Sequence, residues 1–256
     1  EGPFLCEAKK GAQNGAFLHD PDVPMLKRLQ EAAEGCVKLV TVAPEQPGST
    51  EFIQAAKELG VHVSVGHTVA NYETAKAAFE AGADHATHLY NAMPPLAHRD
   101  PGVIGAAYEV PTVKPELICD GIHIHPSVVR LTFGLFGKER MIIVSDSLRA
   151  TGMPDGEYPF GGQMIEVHGN RATILHHPET LAGSVTSLMG CLRQAASFGI
   201  PLADAVRACT YNPARSIGIE DRAGTLDAGK EASIVLLDQA DLSIRSIVFK
   251  GQVVKR

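Results

Sequence analysis

Two histidines open the case for chemistry. His67 lies in Gly66-His67-Thr68 and His88 in Thr87-His88-Leu89, and each follows or ends an apolar run that reads as a strand. Neutral imidazole is the commonest side-chain ligand for a borderline divalent metal, and a catalytic metal needs about three protein ligands and one position left for water. One histidine at a strand end is more often structural. Two at the ends of consecutive strands are harder to set aside. A carboxylate would complete the set, and Glu1 and Asp146 are the candidates. Asp146 ends the apolar run 141–145, where a carboxylate beside an activated water can take its proton and later deliver it to a leaving nitrogen. The plainer alternative for Asp146 is a helix cap or a solvated turn acid.

A second histidine pair invites a different placement of the metal. His123 and His125 form an HxH pair in Asp120-Gly121-Ile122-His123-Ile124-His125-Pro126. Alternate residues of a strand do point the same way. This pair, however, comes after Asp120-Gly121 and just before a helix-opening proline, so it falls in a loop where His123 is better placed to touch a substrate. The long loop after His88 carries Asn91 and Arg99. A guanidinium there suits an anionic group such as phosphate, the alternative being a surface pair with Asp100. No P-loop, GxGxxG, HExxH or GxSxG motif occurs, which removes the commonest nucleotide, zincin and serine-hydrolase readings.

The elements that must position these residues alternate regularly. Residues 22–34, 49–59 and 71–81 read as amphipathic helices, each closed by a glycine, and 36–42, 61–65, 85–89, 116–119 and 141–145 as strands, with Pro126 opening a further helix. Ser49 or Thr50 is the expected cap of the second helix and Asn71 of the third. Such alternation calls for a parallel sheet with helices outside it. His67, His88, Asp120 and Asp146 all fall at strand ends. A closed barrel gathers those ends on one face, whereas an open sheet spreads them along an edge, so the expectation is a TIM-type (β/α)8 barrel. About five of its eight strands are visible, and the deficit is expected before Glu1, which is not a Met. Helices are expected at 184–198 and 202–209. From Gly224 the pattern changes to short strands at 233–237, 244–249 and 252–255. The expected division is residues 1–218 as an incomplete barrel and 219–256 as the C-terminal strands of a small β domain.

Composition agrees with this reading. The chain of 256 residues is 45% hydrophobic and 20% charged, with a net charge of −6, which gives no reason to expect nucleic acid or an anionic membrane as partner. No apolar run approaches the ~18 residues of a membrane helix, and no signal peptide is visible. The five cysteines are scattered without a CxxC pair, so a reducing cytoplasm is the expected compartment.

Several segments together resemble the N-acetylglucosamine-6-phosphate deacetylase family of the amidohydrolases. They are Glu1-Gly2-Pro3-Phe4 with Lys9-Lys10-Gly11-Ala12, Gly66-His67-Thr68, Thr87-His88-Leu89-Tyr90-Asn91-Ala92-Met93, His98-Arg99-Asp100-Pro101-Gly102, Asp120-Gly121-Ile122-His123, Val144-Ser145-Asp146 and Leu181-Ala182-Gly183-Ser184. The resemblance runs over nearly the whole chain. It implies a metal-dependent hydrolase that deacetylates N-acetyl-D-glucosamine 6-phosphate in amino-sugar catabolism. Glu1, His67 and His88 are then the metal ligands and Asp146 the acid and base. Asn91, Ala92, Arg99 and His123 would hold the sugar phosphate, with Arg99 serving a neighbouring subunit of a homodimer. The metal would be zinc, with iron, manganese and cobalt as alternatives, and one or two ions remain open. It also implies that the C-terminal strands belong to a small β-sandwich. Gln13 stands where many members have a histidine that polarises the acetyl carbonyl, and its amide can still donate a hydrogen bond. Two other classes compete: a barrel hydrolase of cyclic amides or N-acyl amino acids, and a barrel that only binds. Phosphate dependence separates the first, metal content the second.

Overall fold

The computed structural model describes residues 1–255. Its central feature is an all-parallel sheet of five strands, β1 (Leu39–Val42), β2 (His62–Val65), β3 (His85–Ala86), β4 (Lys114–Ile118) and β5 (Ile142–Val144). The order is β1-β2-β3-β4-β5, without the reversal that creates the crevice of an open doubly wound sheet. Helices α1 (Val23–Ala32), α2 (Ser49–Glu58), α3 (Tyr72–Ala81), α4 (Gly102–Glu109) and α5 (Pro126–Phe136) alternate with the strands. Helices α6 (Leu188–Ser197), α7 (Leu202–Cys209) and α8 (Tyr211–Ser216) come later. Strands β1 and β2 are buried along three of their four residues, as parallel strands covered on both faces must be. Their side chains share one large core with the helices, in which the rings of Phe4 and Phe52 lie 4.6 Å apart. Each such large side chain contributes roughly 1.5–3 kcal/mol by leaving water.

The helix boundaries follow local chemistry. Asn71 accepts from the Thr74 N–H at 2.9 Å, as the sequence predicts, and Asp22, expected as the first residue of α1, caps it instead by accepting from the Met25 N–H at 2.8 Å. The start of α2 differs. Gly48, with φ of 79°, occupies the cap position without a side-chain bond, and the Ser49 hydroxyl donates instead to Pro44 O at 2.5 Å. The turn after β1 is so tight that it uses the hydroxyl expected to cap the helix.

Two departures bear on the site. The predicted strand 85–89 pairs only through Ala86, because His88, Tyr90 and Ala92 adopt left-handed backbone, which cannot continue a ladder. And the opening residues are part of the architecture: Phe4 bridges Val42 in parallel, and the Ala43 N–H donates to Phe4 O at 2.9 Å. The segment that carries Glu1 therefore lies alongside β1.

A four-stranded antiparallel sheet, not expected from the sequence, occupies residues 156–181: β6 (Gly156–Phe160), β7 (Gln163–His168), β8 (Arg171–Ile174) and β9 (His177–Leu181). Its turns are two-residue hairpins. Gly161 and Gly162 both have positive φ, which suits a type I′ turn, and Gly169 does so before Asn170, which suits type II′. Ile165, Val167, Ala172 and Ala182 form a small separate core beneath it. At the end of the chain β10 (Ile234–Leu237), β11 (Ile244–Phe249) and β12 (Gln252–Lys255) make an antiparallel sheet where short strands were expected. Among the described residues no helix is long and apolar enough to cross a membrane.

Candidate metal centre

Three of the four residues nominated as metal ligands or acid and base sit on strained backbone. His67 has φ of 47°, His88 of 28° and Asp146 of 50°. A non-glycine residue there costs of order 1–3 kcal/mol and persists only where its surroundings hold it. They do. The Cys6 N–H donates to His67 O at 3.0 Å, the Asn91 N–H to His88 O at 3.0 Å, and the Ser184 N–H to Asp146 O at 2.8 Å. Two glycines permit the close approaches. A Cβ on Gly66 would lie 2.5 Å from Thr87 Cβ, and one on Gly183 2.9 Å from Asp146 O.

The turns after β2 and β3 bring His67 and His88 together, and the bridged opening segment brings Glu1 to both. His67 Nε2 is 2.9 Å from Glu1 Oε1 and 2.9 Å from His88 Nε2, which is 3.8 Å from Glu1 Oε2. His67 Nδ1 donates to Lys9 O at 2.8 Å, which fixes the ring and aims Nε2 inward, the outer-sphere bond that ligating histidines typically make. The Gln13 amide donates to Glu1 Oε1 at 2.9 Å and so orients the carboxylate. Two imidazole nitrogens and a carboxylate thus converge on one point with only a proton to share between them. A divalent cation fits this donor set better, since each nitrogen then offers a lone pair to it.

The electrostatics match. Burial alone would raise the Glu1 carboxyl, but the hydrogen bond and charge of His67, with His88 and Gln13, draw it down to about 2. His67 is opposed by burial yet ends above its ordinary range because Glu1 binds its protonated form. His88 ends below it, through burial first and then the nearby charge of His67. Asp146 is raised, by burial and by the charge of Glu1. A carboxyl raised toward neutrality is a stronger base than an exposed aspartate.

Glu116 on β4 is a carboxyl that the sequence did not single out. It is buried and raised to about 7, mainly by desolvation, with Glu1 and Asp146 adding and the His88 backbone N–H offsetting part. Its folded value lies above its unfolded one, so its burial is tolerated while it is protonated and stability falls as pH rises from about 4.5 to about 7. Glu116→Gln is expected to remove that slope. Urea melts of the metal-free protein at about pH 5 and pH 8 should differ by on the order of 3 kcal/mol less in the variant than in the parent. An unchanged difference contradicts the assignment.

A cavity of about 520 Å³ opens over the cluster. Glu1, Gln13, His67, His88, Asn91, Ala92, His123 and Asp146 all border it, so every nominated residue but one is gathered there. Arg99 is exposed, outside this cavity, and bonded to His98 Nε2 at 2.7 Å rather than to Asp100. Asp120 lies behind the wall and binds His123 Nδ1 at 2.7 Å, leaving Nε2 for a ligand. His125 caps α5, accepting from the Ser127 N–H at 3.2 Å, so the HxH pair is split between cavity and cap. The antiparallel sheet contributes Phe160, Glu179, Thr180 and Leu181 to the wall. Of these, only Leu181 lay in a segment that the sequence had marked.

A second group, His62, Asp84 and His85, could also be brought to a cation. It lies where β2 and β3 begin, opposite the ends that carry His67 and His88. Both imidazoles bind Asp84 at 2.7 Å through Nδ1, and the Lys114 ammonium is 3.5 Å away. That charge already balances the carboxylate, and residues at this end of such a sheet more often serve stability.

Comparison with known proteins converges on one group. The amidohydrolase family pattern matches residues 22–254. The chain is 39% identical over 254 residues to N-acetylglucosamine-6-phosphate deacetylase of Bacillus subtilis (strain 168), covering 99% of this chain and 63% of that protein. It is 34% identical to N-acetylgalactosamine-6-phosphate deacetylase of Escherichia coli O157:H7, covering 99% of this chain and 66% of that protein. Among solved structures it superposes on a mutant N-acetyl-D-glucosamine-6-phosphate deacetylase of Mycobacterium smegmatis in complex with N-acetyl-D-glucosamine-6-phosphate. That match has a TM-score of 0.95 at 38% identity, over 100% of this chain and 67% of the other. The chain thus spans somewhat under two thirds of the length of the Bacillus relative.

Proposed function

The chain belongs to the amidohydrolase family, among its N-acetylglucosamine-6-phosphate deacetylases, and from that premise we propose that it carries the hydrolytic centre for deacetylating N-acetyl-D-glucosamine 6-phosphate. The products are D-glucosamine 6-phosphate and acetate. The observation that carries this reading is the convergence of Glu1, His67 and His88 at one cavity bordered also by Asp146. We read the parallel sheet as part of a (β/α)8 barrel over residues 1–218, and the strands within 219–256 as part of a small β-sandwich.

Glu1, His67 and His88 would hold the metal, zinc foremost, with iron, manganese or cobalt also suited to histidine and carboxylate ligands. Bound there, a divalent ion supplies Lewis acidity to the acetyl carbonyl and lowers the pKa of water. Asp146 takes the proton as water adds to the carbonyl carbon, and returns it to the nitrogen as the C–N bond breaks. Gln13 orients Glu1 through one amide N–H and has a second to offer the carbonyl oxygen. Asn91, Ala92 and His123 hold the sugar. Arg99, outside its own chain's cavity, binds the 6-phosphate in a neighbouring subunit's site within a homodimer. The five free thiols accord with a reducing cytoplasm.

Amine release should be followed from N-acetylglucosamine 6-phosphate, its 4-epimer N-acetylgalactosamine 6-phosphate and unphosphorylated N-acetylglucosamine. The phosphate ester of the gluco sugar should be preferred. Arg99→Ala should lower kcat/KM for the phosphate esters roughly 10- to 100-fold, the worth of a charged hydrogen bond, and leave the unphosphorylated sugar unaffected. Equal release from phosphorylated and unphosphorylated sugar removes the phosphate assignment. A preference for the 4-epimer moves the substrate to the galacto series.

A further inference from the structure

Glu45 lies three residues beyond β1, half-buried and outside the ring of ligands. Each of its carboxylate oxygens takes one donor from the segment that follows His67. Oε1 accepts from the Val69 N–H at 2.8 Å, and Oε2 accepts from the Thr68 hydroxyl in a very short bond. Thr68 is fully buried, and its oxygen accepts in turn from the Ala70 N–H at 2.8 Å. The Thr68 N–H donates to Ala92 O at 3.1 Å, which ties the same segment to the Asn91-Ala92 turn after β3. Immediately before this fastened stretch stands His67, in left-handed backbone that a side-chain-bearing residue does not hold unaided. Were the segment 68–70 free, only the Cys6 N–H on His67 O and the Lys9 carbonyl on Nδ1 would be left to hold that backbone and keep the imidazole toward Glu1 and His88.

We propose that Glu45 is a positioning residue for the metal centre, gripping Thr68 and Val69 so that the strained backbone of His67 keeps Nε2 aimed at Glu1 and His88. The inference rests on the metal centre described above and assigns to it a carboxylate that touches neither metal nor substrate. Glu45 acts through Thr68, so the two side chains form one unit and their removals are not additive.

The test is zinc affinity of the full-length protein, by chelator competition at a temperature well below unfolding, with the visible spectrum of the cobalt form recorded alongside. Glu45→Ala and Thr68→Val should each weaken zinc binding roughly 10- to 100-fold, the range for outer hydrogen-bond partners of a metal site, and shift the cobalt bands. Glu45→Gln retains one acceptor oxygen and should fall between the parent and Glu45→Ala. The double variant should bind zinc about as weakly as the worse single one. Unchanged zinc affinity and cobalt spectrum in Glu45→Gln and Thr68→Val, with only the Tm lowered, overturns the inference and leaves Glu45 a structural tie. Failure of the parent itself to bind metal overturns the metal centre, and this inference with it.

Discussion

Asp146→Asn is expected to bind metal as tightly as the parent protein and to turn over N-acetylglucosamine 6-phosphate ~10²- to 10⁴-fold more slowly, the worth of a positioned general acid and base. The expectation rests on where the residue stands. Asp146 follows β5 by two residues, in left-handed backbone held by the Ser184 N–H, against Gly183, where any Cβ would collide with the Asp146 carbonyl. Asparagine has the same shape and tolerates that backbone, so the fold and the Glu1–His67–His88 cluster should be undisturbed. What the amide cannot do is take a proton from water and give it to the amine. Metal content and kcat measured on the same preparation separate these effects. Turnover within about threefold of the parent would remove Asp146 from the mechanism, and loss of metal would make it a ligand.

The second large effect belongs to the ligands. His88→Ala deletes one of three converging donors and is expected to weaken metal binding well beyond the ~10- to 100-fold that an outer partner contributes. Activity should vanish with the metal and return in part at high metal concentration, because Glu1 and His67 remain 2.9 Å apart and can still hold an ion weakly. His62→Ala is the matching control. It removes a histidine from the group at the opposite end of the strands, where Lys114 already supplies positive charge, and should leave metal content and kcat unchanged. If His62→Ala loses the catalytic metal and His88→Ala keeps it, the centre has been assigned to the wrong end of the sheet.

His67, His88 and Asp146 were legible because each interrupts or ends an apolar run, and a run that ends on a polar residue marks a strand end. Glu1 has no such context: it could be named only as a candidate carboxylate, and its role as a ligand came from the resemblance of its segment. The bridge from Phe4 to Val42, a contact between distant positions, is what carries Glu1 to the cluster. The HxH pair falls apart in the fold, since the preceding Asp120-Gly121 turn gives His123 to the cavity and His125 to a helix cap. The antiparallel sheet could have been found from Gly161-Gly162 and Gly169-Asn170, two hairpin signals between alternating stretches. Its contribution of Phe160, Glu179 and Thr180 to the cavity wall could not, because that depends on how the sheet packs. Glu45 was invisible for the same reason: its partners lie more than twenty positions away. Arg99 shows the converse limit, for its residue type suggests a phosphate ligand, yet the fold leaves it outside its own chain's cavity.

The most direct measurement is amine release from N-acetylglucosamine 6-phosphate by the full-length protein, stripped of metal and then titrated with zinc. No release is expected from the stripped protein, and a rise in release should follow zinc bound to the Glu1–His67–His88 site. Undiminished release from protein verified free of metal, or zinc bound at that site with no release at all, would contradict this expectation.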